Sequence, residues 1–186
     1  VASEKQLKLS TRFIGTRNVR EYREIKGSSQ AARRIRYKES LIIGTYGAGK
    51  GHRIEEKIRE ELEGIRSKHG VSYGRGRSMI IETDIDFAVP SAEDPWVIIM
   101  SSFQETTSSG QTTKSKDMLS AYERVCRVNS RYGENRAFVN FVDGGGWLAR
   151  MRDLERLVEH CHYFINLEHL DMLEAIVLRH VPDEYF

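Results

Sequence analysis

Residues 78–114, SMIIETDIDFAVPSAEDPWVIIMSSFQETTSSGQTTK, decide the reading of the fold. Residues 79–89 alternate at the period of a strand, with Ile81, Thr83, Ile85 and Phe87 expected on one face and Ile80, Glu82, Asp84, Asp86 and Ala88 on the other. Three carboxylates then share one strand face. Like charges so placed repel in a low-dielectric interior and must be neutralised or left wetted. A divalent cation does the first, and oxygen ligands suit Mg²⁺, which keeps several waters and uses one or two protein carboxylates. Pro90 and Asp94-Pro95 mark a turn. Residues 96–103, WVIIMSSF, begin as a continuous apolar run, the pattern of a central strand covered on both faces.

Downstream, residues 104–114 turn abruptly polar. A hydroxyl-rich loop with Gly110 offers Thr106, Thr107, Ser109 and Gln111 as hydrogen-bonding groups for phosphates or base edges. A helix is expected over 115–130, its apolar side made by Met118, Leu119, Tyr122, Val125, Cys126 and Val128. A strand over 137–142 ends in Asp143-Gly144-Gly145-Gly146-Trp147, a sharp turn with Trp147 as a packing anchor and Asp143 as a turn former. A helix over 148–161, a short strand over 163–165 and a helix over 167–179 follow. Alternating strands and helices predict an α/β fold, a mixed central sheet flanked by helices.

Upstream, residues 1–40 read as a basic arm and residues 41–186 as the α/β domain. Ser28-Ser29 can cap a helix over 30–39 whose basic face includes Arg34. Gly44-x4-Gly49-Lys50 matches the front of a phosphate-binding loop, but Gly51 stands where Ser or Thr would hold the magnesium of a bound nucleotide. A glycine turn leading into a helix explains these residues more simply. That helix, over 53–67, repeats Ile54, Ile58, Leu62 and Ile65 as a buried stripe, with Glu55 beside it near the start. Residues 71–78, VSYGRGRS, read as a glycine-loosened connector whose Arg75 and Arg77 are candidates for phosphate contacts.

A chain of 186 residues, 39% hydrophobic, can bury one sizeable core. A formal net charge of +2 permits a nucleic-acid partner without demanding one. Two cysteines, Cys126 and Cys161, make no disulfide framework and fit a reducing compartment, so a cytoplasmic setting is expected. No apolar run reaches membrane-spanning length.

In order along the chain stand Gly51–Glu55 (GHRIE), Asp86-Phe87-Ala88-Val89, the apolar strand and Ser/Gly-rich loop leading to Tyr122, and Asp143–Trp147 (DGGGW). Taken together they resemble the PD-(D/E)XK restriction endonucleases, more narrowly the prokaryotic type II enzymes that cut at GATC. The resemblance spans roughly residues 44–170. It implies a restriction-endonuclease-like core and a Mg²⁺-dependent endonuclease acting on double-stranded DNA. It also implies a homodimer for a palindromic target, or a cleavage domain joined to a recognition subunit or domain.

The resemblance further implies an acid on the second strand, which by spacing from Asp86 falls at Met100. Ser102 and Gln104 share that parity, and Glu105 is the nearest acid. Three readings stay open. An active site can use Asp86 with Glu105 and Glu55, and with Gln104 or Lys114 in place of the usual strand lysine. Asp84 or Glu82 can join Asp86 as the metal ligand instead. Or the fold has lost cleavage and serves as a non-catalytic DNA-binding or partner subunit.

Overall fold

A computed structural model describes residues 50–104 and 110–186, without the side chains of residues 50–53 and 110–111. The expected arm over 1–40 with Arg34, the glycine turn at 44–49, and Glu105, Thr106, Thr107 and Ser109 lie outside the described residues.

The described chain builds one five-stranded sheet in sequence order: β1 (Gly74–Ser78), β2 (Thr83–Pro90), β3 (Pro95–Phe103), β4 (Ala137–Asp143) and β5 (Tyr163–Ile165). β1, β2 and β3 pair antiparallel, while β3–β4 and β4–β5 pair parallel. Parallel neighbours need long crossovers. Helix α2 (Gly110–Tyr132) carries the chain from β3 to β4. A 3-10 segment (Gly145–Arg150) and helix α3 (Met151–Glu159) carry it from β4 to β5. Helix α1 (Lys50–His69) precedes the sheet and α4 (Met172–His180) follows it. The expected mixed sheet flanked by helices is what forms. Among the described residues no helix is long and apolar enough to cross a membrane.

Each face of the sheet has its own apolar layer. Ile54, Ile58, Leu62 and Ile65 of α1 pack with Leu173, Ile176 and Val177 of α4 over Phe87, Val89, Val97, Ile99 and Val139. Met118, Ala121 and Val125 of α2 pack with Leu154, Leu157 and Val158 of α3 over Ile85, Ala88, Ile98, Met100 and Phe138. β3 and β4 feed both layers, which explains their unbroken apolar runs. Each Val, Leu, Ile, Phe or Met side chain among them contributes roughly 1.5–3 kcal/mol when fully buried.

Three expectations are corrected. The connector over 71–78 is not wholly a loop: its GRGRS half forms β1 and pairs with β2. β2 begins at Thr83, so Glu82 lies in the preceding turn, at a φ of 50°. Arg124 of α2 holds that turn by donating to the carbonyls of Ile81 (3.3 Å) and Glu82 (2.7 Å). The hydroxyl-rich loop is also shorter than its composition suggests, because α2 already begins at Gly110.

Strict alternation fails along β2 as well. Gly74 pairs with Ala88 and Gly76 with Ile85, so Asp86 and Phe87 together oppose Arg75. This bulge moves Ile85 into the same layer as Ala88, opposite the layer that takes Phe87. The three carboxylates therefore do not line a single face.

Candidate active site

The bulge falls at Asp86, where β2 and β3 part. Their paired register runs from Pro90↔Pro95 to Phe87↔Ile99. Next along β3, the Ser101 amide donates to the Asp86 side chain, at 2.7 Å from Oδ2. The Ser101 hydroxyl lies 3.2 Å from the same oxygen. Lys114, in the second turn of α2, places its Nζ 3.1 Å from it. Among the described residues, every hydrogen bond to this carboxylate falls on Oδ2. Asp86 keeps 28% and Lys114 31% of their side-chain surface, so the pair is anchored yet open to solvent.

The sequence candidates separate around this centre. Lys114 meets Asp86. Asp84 is mostly exposed, with Arg77 Nη1 3.9 Å away. Glu82 is turned toward Arg124, at 3.4 Å. Glu55 is half-buried on α1, whose apolar stripe packs in the layer opposite α2. Arg75 and Arg77 are exposed on the edge strand β1. Gln111 belongs to the first turn of α2. Met100 is 4% exposed and packed in the α2–α3 layer.

Ser101 has no counterpart among the sequence candidates. Counting from Asp86 favours Met100, Ser102 and Gln104, but the bulge and the parting of the strands bring the next residue, Ser101, to the carboxylate. The available signal was the break from apolar to hydroxyl residues at MSSF.

Gln104 is fixed at the end of β3 by its backbone. Its N–H donates to the Asp143 carbonyl at 3.0 Å, and its carbonyl accepts from the Gly146 N–H at 2.8 Å. Gly144 lies against it at φ 101°, and a Cβ there would fall 2.8 Å from the Gln104 carbonyl carbon. Trp147 is buried beneath, its Nε1 donating to the Ser102 carbonyl at 3.3 Å. The Asp143 carboxylate holds the turn, accepting from Gly144 N–H at 2.6 Å and Leu167 N–H at 3.0 Å. Burial raises the Asp143 pKa against the pull of those two amides. The glycine-rich turn is therefore a clamp on the end of β3, close in the chain to Ser101 and to the segment containing Glu105.

Among the described residues no three His, Cys, Asp or Glu side chains converge to hold a metal. Asp86 alone still suits Mg²⁺, which fills most of its shell with water. Its donor set is hard oxygen, and solvent reaches it.

No curated protein and no solved structure matches the chain. The BanI C-terminal domain family matches residues 16–178 of the 186. That match takes in the whole sheet, Asp86, Ser101, Lys114 and the glycine clamp. The chain therefore belongs to the BanI C-terminal domain family, a domain of type II restriction enzymes.

Proposed function

We propose that this domain is a Mg²⁺-dependent endonuclease that hydrolyses phosphodiester bonds in double-stranded DNA within a restriction system. The observation that carries this reading is the solvent-reached Asp86 carboxylate, held by Ser101 and Lys114 where β2 and β3 part. Asp86 is the proposed metal ligand on a PD-(D/E)XK-like core. Glu105, one residue beyond the clamped Gln104, is the proposed second ligand, with Asp84 the alternative. When bound, Mg²⁺ supplies charge stabilisation at the phosphate and a more acidic water. Ser101 fixes the orientation of the Asp86 carboxylate through two donors. Lys114 brings an ammonium from a helix to the place where a strand lysine would otherwise stand, and it offers positive charge to a phosphate entering beside Asp86. Gln104 is a further polar group at the end of β3. Arg75 and Arg77 on the edge strand, Arg34, and the Thr106–Thr107–Ser109–Gln111 stretch are proposed DNA contacts. A palindromic target would call for a homodimer, and a cleavage domain joined to a recognition subunit is the other arrangement.

The test is cleavage of supercoiled and linear unmodified DNAs with Mg²⁺ by the native chain and by D86A. Cutting by the native chain, and its loss in D86A with DNA binding retained, is the expected result. Failure of the native chain to cut several unmodified DNAs would overturn the reading.

One observation favours a second reading, a non-catalytic DNA-binding or partner subunit. Met100 occupies the position the resemblance assigns to an acid, and it is buried in the core. That reading predicts salt-dependent DNA binding with no turnover at any Mg²⁺ concentration.

A further inference from the structure

The glycine clamp ends in an arginine that the proposed site has not used. Gly144, Gly146 and Trp147 fix the 3-10 segment against Ser102 and Gln104, and Arg150 is its last residue. Arg150 Nη1 donates to the Thr112 hydroxyl at 2.6 Å, and its nearest described carboxylate oxygen, of Asp153, is 3.6 Å away. Both contacts use Nη1, and 34% of the side chain is exposed.

Arg136 shows what a structural arginine looks like in the same fold. It is buried, with Asp94 at 2.7 Å, Glu134 at 2.6 Å, the Pro95 carbonyl at 2.7 Å and the Trp96 ring beneath it. Arg150 lacks that saturation among the described residues. The Thr112 hydroxyl aims it, and its ion pair with Asp153 is longer, at 3.6 Å, than either carboxylate contact of Arg136. Thr112, which holds Arg150, and Lys114, which reaches Asp86, both belong to the start of α2, on different sides of the helix.

We infer that Arg150 binds a DNA backbone phosphate. The planar guanidinium has Nε and Nη2 to offer in the fork geometry that matches phosphate oxygens. The glycine clamp supplies the rigid support that a phosphate ligand needs. The inference rests on the proposed action on DNA and adds a residue to it.

The experiment is equilibrium binding of a DNA duplex without divalent metal, over a series of salt concentrations, by the native chain, R150A, R150Q, R150K and R179A. Arg179 is an exposed residue of α4, on the opposite layer, and its loss changes net charge equally. A phosphate ligand makes the slope of log K against log salt shallower by about 0.9 in R150A and R150Q. R150K keeps the native slope, and so does R179A. A purely structural Arg150 would not move the slope. If R150A folds poorly, R150Q keeps much of the side chain's length without its charge and decides the matter. Native slopes in R150A and R150Q, with normal DNA binding by the native chain, overturn the inference and leave the proposed function standing. Absence of DNA binding and cutting by the native chain removes the proposed function, and the inference with it.

Discussion

Lys114 Nζ lies 3.1 Å from Asp86 Oδ2, joining the second turn of α2 to the bulge in β2. Both side chains are about one-third exposed, and a pair so placed contributes roughly 0–1 kcal/mol to stability. K114M should therefore melt close to the native chain. If Lys114 stabilises charge on a phosphate, the same change lowers single-turnover DNA cleavage about 10²–10³-fold. Calorimetric titration should also show Mg²⁺ binding at least as tightly in K114M, because the competing ammonium is gone. Unchanged cleavage in K114M would make the pair structural only.

Gly144 and Gly133 both have positive φ, 101° and 68°, but their surroundings differ. A Cβ at Gly133 meets nothing within 4 Å, whereas one at Gly144 drives into the Gln104 backbone. G133A should cost about 1–2 kcal/mol, the left-handed backbone penalty alone. G144A adds overlap with a strand end and should cost more, with the end of β3 displaced. Urea unfolding ranks the two, and equal losses would show that the clamp yields freely. Under the proposed function G144A also reduces cleavage beyond its effect on stability, while G133A does not.

Trp147 joins the clamp to the core, and its indole N–H serves the Ser102 carbonyl. W147F keeps most of the apolar volume and loses that bond. The hydrogen bond contributes roughly 0.5–1.5 kcal/mol, and that is the loss expected for W147F. W147A empties a core site and should cost about 3–5 kcal/mol. Denaturant titration separates the steps; a W147F variant as stable as the native chain would show that Ser102 finds another donor.

The legible parts of this fold are those where burial speaks through composition. WVIIM and AFVNFV announce central strands because both faces are covered. Ile54, Ile58, Leu62 and Ile65 announce α1 because one helical stripe is. β1 stayed hidden because Arg75 and Arg77 alternate with glycines on an exposed edge, so no apolar period marks it. The bulge at Asp86 stayed hidden because register is a property of two strands. Parity counted along β2 alone puts Asp84 and Asp86 together and misses Ser101. Lys114 was reachable as a charge near the strand ends. Arg150 was not, because its place depends on how Gly144 lets the chain pass Gln104. Asp86 stands out in the sequence as the last acid of its own strand, whereas the groups around it are set by tertiary geometry.

Asp94 links the β2–β3 turn to the start of β4 and to the C-terminus. Arg136 Nη1 donates to it at 2.7 Å, Trp96 Nε1 at 3.2 Å and the Tyr185 hydroxyl at 2.5 Å. Burial by itself would raise its pKa, but the hydrogen bonds from Tyr185 and Arg136, the Arg136 charge and Trp96 outweigh it, and the pKa falls below the ordinary 3.8. A depressed folded pKa means the unfolded chain binds the proton first. The stabilisation from the charged form is complete above the unfolded value and is lost as pH falls from about 3.8 through the folded one. Asp143 bends the other way: its raised pKa makes its contribution largest at low pH and smaller as pH rises through the folded value. D94N should therefore be less stable than the native chain at pH 7, since buried Arg136 loses a charged partner. The gap between the two proteins should narrow as pH drops below 3.8, where the native Asp94 also becomes neutral. Urea unfolding of both proteins from pH 7 to pH 2.5 measures that gap. A gap that stays constant across the acid range would mean that the Asp94 charge does not stabilise the fold.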